Sequence, residues 1–115
     1  MNKKYILKSS EQIGELIGLR KSVGSKYYVF YYRINEVDNA RIVVSVSKKY
    51  GNAVKRNYEK RVTKEILRDT IPTLKNVDLL IVIKKELKNL NFLEKKEQLK
   101  YLIQKLKKII GDKND

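Results

Sequence analysis

Residues 47–68, reading SKKYGNAVKRNYEKRVTKEILR, constrain the fold more than any other stretch, because eight Lys or Arg, a glycine and a helix start are packed into 22 residues. Gly51 can take a φ > 0 conformation where a strand turns into a helix, and Asn52 is a favoured N-cap whose side chain accepts an orphan backbone N–H. A helix is expected to begin near Asn52. At 100° per residue, Arg56, Asn57, Lys60, Arg61, Lys64 and Arg68 fall within one arc of roughly 140°, whereas Val54, Tyr58, Val62 and Ile66 fall on another. One face is then cationic and the other can be buried.

Lys and Arg on a surface helix ordinarily alternate with acids at i,i+4 spacing and merely keep it solvated. Here Glu59, Glu65 and Asp69 lie outside the basic arc, which leaves six donors in line without an intrahelical partner. Such a row repels itself unless an anion answers it. Polyanion binding is the favoured reading: guanidinium groups fork onto phosphate oxygens, Lys supplies point charge, and Asn57 can donate and accept near a sugar or base edge.

A chain of 115 residues is read as a single domain, 1–115, with one core. Its 27 Lys and Arg against 13 Asp and Glu give a formal charge of +14, spread from Lys3 to Lys113. An RNA partner would relieve that self-repulsion. A membrane surface would also attract it, yet no apolar run approaches the roughly 18 residues of a spanning helix, and the N-terminus lacks the apolar core of a signal peptide. The expectation is a cytoplasmic protein with no membrane contact. With no Cys and no His, disulfides, Cys/His zinc sites, thiol nucleophiles and histidine acid–base catalysis are excluded. No paired carboxylates sit among apolar residues as a hydrolase would need, so no catalytic residue is assigned.

Residues 2–8 read as a loose basic arm. Ser9 with Gln12 is a capping-box pattern, and Ile13, Leu16 and Ile17 then repeat at helical spacing. Residues 26–34, KYYVFYYRI, read as a strand with Tyr28, Phe30 and Tyr32 on one face and Tyr27, Val29 and Tyr31 on the other. One face must pack under helices, which leaves the other as an aromatic platform of the kind that stacks single-stranded bases. The NEVDN segment reads as a hairpin turn into a second strand, 41–47. The basic helix follows and runs to about Thr70, where Pro72 prevents continuation. Val77–Ile83 is nearly continuous in apolar residues, as a buried central strand requires. Asn91 and Glu94 can start a last helix with a core stripe of Leu99, Leu102, Ile103, Leu106 and Ile110, surrounded by lysines that include Lys95, and residues 111–115 read as a frayed end. The fold class is α+β: a two-layer sandwich of a small mixed sheet with helices on one face.

Lys48, Lys49, Gly51, Asn52, Ala53, Val54, Arg56, Asn57, Lys60 and Arg61 together resemble the signature of the bacterial ribonuclease P protein family, in which a strand ending in SVSKK runs into GNAV, then RN, then KR. The run is long and irregular, and so more specific than a generic basic patch. The resemblance covers most of the chain. It implies a sheet of about four strands in the order α-β-β-β-α-β-α, with a left-handed βαβ crossover through the basic helix. It also implies the protein subunit of a ribonucleoprotein that removes the 5′ leader from precursor tRNA. In such a complex the catalytic RNA subunit carries the active site and binds most of the Mg2+. The implied partners are ribonuclease P RNA and precursor tRNA, with no obligate protein partner. By the same resemblance Arg56, Asn57, Lys60 and Arg61 are carried over as RNA-binding residues, and Lys48, Lys49, Asn52, Lys64 and Arg68 are further RNA-binding candidates beside them. Ile13, Ile17, Tyr28 and Tyr31 are candidates for a cleft that receives the leader, although core packing is the favoured reading of Ile13 and Ile17. The family's typical form carries Arg where this chain has Tyr58. On the wheel that residue lies between Val54 and Val62, so a packed Tyr58 and an RNA-facing one both stand.

Two other functions fit part of the sequence. A general RNA-binding or ribosomal protein accounts for the charge and the aromatic strand but not for the length of the motif. A metal-dependent nuclease acting alone would need clustered acids, with Asp78 or Glu65 among them.

Overall fold

A computed structural model describes residues 2–114, with side chains through residue 111. The main elements in chain order are α1 (Ser10–Gly18), β1 (Ser22–Gly24), β2 (Tyr28–Ile34), β3 (Arg41–Val46), α2 (Ala53–Leu67), β4 (Val77–Ile83) and α3 (Phe92–Asn114). Short 3-10 turns lie at Lys3–Tyr5, Lys48–Tyr50, Ile71–Thr73 and Lys85–Asn89. The helix starts follow from side-chain capping. Ser9 accepts from the Gln12 N–H, Asn52 from the Lys55 N–H, and Asn91 and Glu94 cap each other's backbone N–H reciprocally.

The four strands form one mixed sheet in the order β1-β2-β4-β3. β4 is antiparallel to β2 and parallel to β3, which α2 connects to it. The expected hairpin between the second and third strands does not form, because β4 inserts between them. The reason lies in composition: β4 is apolar on both faces and belongs inside a sheet, whereas β3 carries Ser45 and tolerates an edge. The turn at residues 35–40 is real nonetheless, with the Asn35 side chain accepting from the Val37 N–H and donating to the Asn39 carbonyl. The true hairpin joins β1 to β2, pairing Val23 with Phe30. β1 is three residues long and left no periodic signal in the sequence.

Tyr28, Phe30, Ile42, Val44, Leu79, Ile81 and Ile83 form one sheet face and pack beneath α2 and α3 against Leu67, Leu99, Leu102 and Leu106. α1 lies on the opposite face, where Leu16 packs with Leu7 and Leu80 and is joined by Ile13, Tyr31, Val43 and Val82. The expected layering therefore describes α2 and α3, while α1 covers part of the other side. The N-terminal arm is not loose. Leu7 is buried and its N–H donates to the Ile42 carbonyl at 2.8 Å, which supplies a partner to the edge of β3.

Gly51 is extended, at φ 160°, rather than left-handed; the turn before α2 is made instead by Lys48–Tyr50, which the Ser47 side chain caps. Among the described residues the left-handed one is Arg20, at φ 57°, just beyond α1. The buried side of α2 also differs from expectation. Glu59, Thr63 and Leu67 are buried, whereas Val54 is 77% and Tyr58 57% exposed. Glu59 can face inward because the Tyr50 hydroxyl donates to its carboxylate and the Lys95 ammonium lies 2.9 Å from it. Lys95 is thereby a buried link between α3 and α2, not one of the solvated lysines. α3 remains helical through Asn114, where a frayed end was expected, and residue 115 lies outside the described residues.

Candidate nucleic-acid interface

α2 is anchored by Glu59, Thr63 and Leu67, so its opposite side is held rigidly outward. Asn57, Arg61 and Arg68 are exposed there, and Arg56, Lys60 and Lys64 are half-buried along the flank. Asn57, Lys60, Arg61, Lys64 and Arg68, with Glu65, line a shallow open depression of about 370 Å³. Among the described residues, Arg56, Lys60, Arg61 and Lys64 form no ion pair. Arg56 Nε is buried without a hydrogen-bond partner. Arg68 departs from the expected unpaired row, because its guanidinium lies 3.0 Å from Glu65 at i,i+3 spacing. Lys48 and Lys49 extend the positive surface on the turn ahead of the helix, both exposed. Asn52 spends its side chain on the Lys55 N–H, which gives it a local structural role. Fixed, unpaired cations in a row of this kind are suited to several adjacent phosphates.

The residues expected to form a cleft divide between the two faces of the sheet. Tyr31 is half-buried beside α1 with Ile13, and Ile17 is 47% exposed on the same helix. Tyr28 is not with them. It is fully buried beneath α2, where burial and then the nearby Glu59 carboxylate raise its hydroxyl well above the ordinary tyrosine range. Strand alternation makes the reason plain: Tyr28 and Tyr31 are an odd number of residues apart and cannot share a face.

A polar network missed in the sequence holds α1 over this face. Asp78 is fully buried and accepts from Arg41 Nε at 2.8 Å, Arg33 Nε at 3.0 Å and the Asn35 amide at 2.9 Å. Arg33 also donates to Glu15 on α1 at 2.9 Å. Burial alone would raise the Asp78 carboxyl, but the bonds from Arg41, Asn35 and Arg33 together hold it below its usual range. The signal available was Asp78 itself, the one charge in an apolar strand, opposite arginines in both neighbouring strands. Asp78 is thus occupied structurally and Glu65 is paired to Arg68, so neither forms the acid cluster that an autonomous metal nuclease would need. Among the described residues no three Asp or Glu converge to hold a metal ion. No described helix is long and apolar enough to cross a membrane.

A family model for ribonuclease P matches residues 1–107. The chain belongs to the ribonuclease P protein family. The ribonuclease P protein component of Mycoplasma mobile is 34% identical over 106 residues, covering 92% of this chain and 93% of that protein. That of Mycoplasmopsis pulmonis is 35% identical over 109 residues, covering 93% and 96% respectively. The solved structure of the Staphylococcus aureus RNase P protein has the same fold, with a TM-score of 0.83 and 28% identity over 90% of this chain and 95% of that one.

Proposed function

We propose that this chain is the protein subunit of a ribonucleoprotein ribonuclease P, and that it assists 5′ maturation of tRNA while the RNA subunit performs the cleavage. The observation that carries the reading is the cationic flank of α2, whose Arg56, Lys60, Arg61 and Lys64 have no acidic partner among the described residues, on a helix fixed by buried Glu59 and Thr63. Family membership supports a catalytic RNA as the partner of that flank. Arg56, Asn57, Lys60, Arg61 and Lys64 contact its phosphates, with Lys48, Lys49 and Arg68 at the margins. The protein lowers the repulsion between two polyanions, the catalytic RNA and precursor tRNA, and the half-open face beside α1, with Ile13, Ile17 and Tyr31, receives the 5′ leader. Contacts of charge and stacking read little of the base edges, so sequence preference is weak. The Mg2+ of the reaction is held mainly by the RNA, and the complex works in the cytoplasm.

Titrating the chain onto a bacterial ribonuclease P RNA at several salt concentrations tests this. Tight binding with a log–log slope corresponding to several phosphates is expected. Binding no stronger than that to an unrelated RNA of equal length would contradict it.

A further inference from the structure

Tyr58 is exposed although nothing in the core requires an aromatic ring at that position. Val54, one turn earlier, is more exposed still. Together they line an open depression of about 510 Å³ with Lys55, Lys88 and the buried Tyr50, Glu59 and Lys95. Exposed Tyr101 differs, because the Lys105 ammonium lies over its ring at 5.8 Å. Among the described residues no cation lies over the Tyr58 ring. Lys55 and Lys88 are exposed and, among the described residues, take part in no ion pair. Tyr50 and Lys95 both donate to the Glu59 carboxylate, so the inner side of the depression is polar but fixed.

An aromatic face flanked by free ammonium groups is the arrangement that binds a single-stranded nucleotide: the ring stacks the base and the lysines meet the neighbouring phosphates. Tyr58 is also one helical turn from Arg61, at the margin of the cationic flank. An RNA backbone lying on that flank can turn one base outward onto the ring. We propose that this depression receives one unpaired nucleobase of the ribonuclease P RNA, stacked on Tyr58 beside Val54, with Lys55 and Lys88 on the adjacent phosphates. The proposal rests on the function proposed above and adds a stacking site to its electrostatic contacts. Stacking takes any base, so the site selects for an unpaired nucleotide rather than a sequence.

The chain contains no Trp, so Tyr58→Trp creates a single fluorescent reporter inside the site. Binding of a bacterial ribonuclease P RNA is expected to quench that tryptophan. Heparin, a polyanion without bases, is expected to bind without quenching it. Tyr58→Leu is expected to weaken RNA binding about 10-fold, with the salt dependence unchanged, because a stacked base and no phosphate contact is lost. Tyr58→Phe should bind like the parent. Equal quenching by heparin, no quenching by RNA, or parental affinity in Tyr58→Leu would overturn the proposal. Should the leucine variant melt early, the tryptophan experiment still decides, since it removes no ring. If the parent chain itself fails to bind this RNA, the functional reading falls and the site with it. A failure confined to the Tyr58 variants removes the stacking site alone.

Discussion

Asp78→Ala removes the carboxylate that three donors share, and its cost can be worked from the structure. Arg33 and Arg41 have side chains only 17% and 23% exposed, and both bond to an Asp78 that is fully buried. Their charges would be left beside an empty space with little water to replace the oxygens. Breaking a buried pair from one side costs about 3–5 kcal/mol, and the present geometry, with several bonds on one carboxylate, belongs near the middle of that range. Unfolding entropy of about 2 cal/mol/K per residue converts a loss of about 4 kcal/mol into a fall in Tm of about 15 °C for a chain of this length. The loss also depends on pH with a definite sign. The folded Asp78 carboxyl lies below its ordinary value, so its contribution is complete above the unfolded value near pH 4 and disappears as pH falls through the folded one. Thermal melts of parent and variant should be far apart at pH 7 and converge below about pH 4. A fall of less than about 3 °C at pH 7, or a gap that widens on acidification, would refute the reasoning. The variant also bears on chemistry: a refolded Asp78→Ala chain that still activates the RNA would confine the residue to architecture.

Other perturbations separate the surfaces. Arg61→Ala should leave circular dichroism and Tm unchanged and reduce the salt slope of RNA binding by about 0.7–0.9 log units, the signature of one lost phosphate contact. Tyr31→Ala should weaken binding of a leader-bearing precursor tRNA while sparing mature tRNA; equal losses in a competition assay would argue against a leader site beside α1. Arg20→Gly relieves a left-handed backbone in an exposed non-glycine residue and, after the entropy glycine costs, should raise stability by about 0.5–1 kcal/mol in a urea titration.

What could be read from the sequence divides along physical lines. Capping residues and the stripe of α3 were legible because local hydrogen bonds and 3.6-residue periodicity determine them, and Ser9, Asn52 and Asn91 cap where their side chains indicated. Strand pairing was not legible in the same way. Adjacent strands with a good turn between them suggested a hairpin, but the more apolar β4 takes the interior position, and periodicity within a strand says nothing about its neighbours. The buried side of α2 was misjudged because the wheel counted Glu59 as a surface acid. Only its distant partners Tyr50 and Lys95 make it a core residue. The unpaired charges of Arg56, Lys60, Arg61 and Lys64 were legible because charge without nearby acid is a local property of the sequence, whereas the wheel did not show that Arg68 pairs with Glu65. Placing Tyr28 in the cleft as a neighbour of Tyr31 goes against the two-residue period of their own strand.

The measurement that bears most directly on the account is cleavage of a leader-bearing precursor tRNA by a bacterial ribonuclease P RNA at low millimolar Mg2+, with and without this chain, and by the chain alone. The account predicts 5′ maturation when RNA and protein are combined and none by the protein alone. Cleavage by the chain without RNA, or no change in the RNA's activity on adding it, would contradict the claim that α2 and the face beside α1 serve a catalytic RNA.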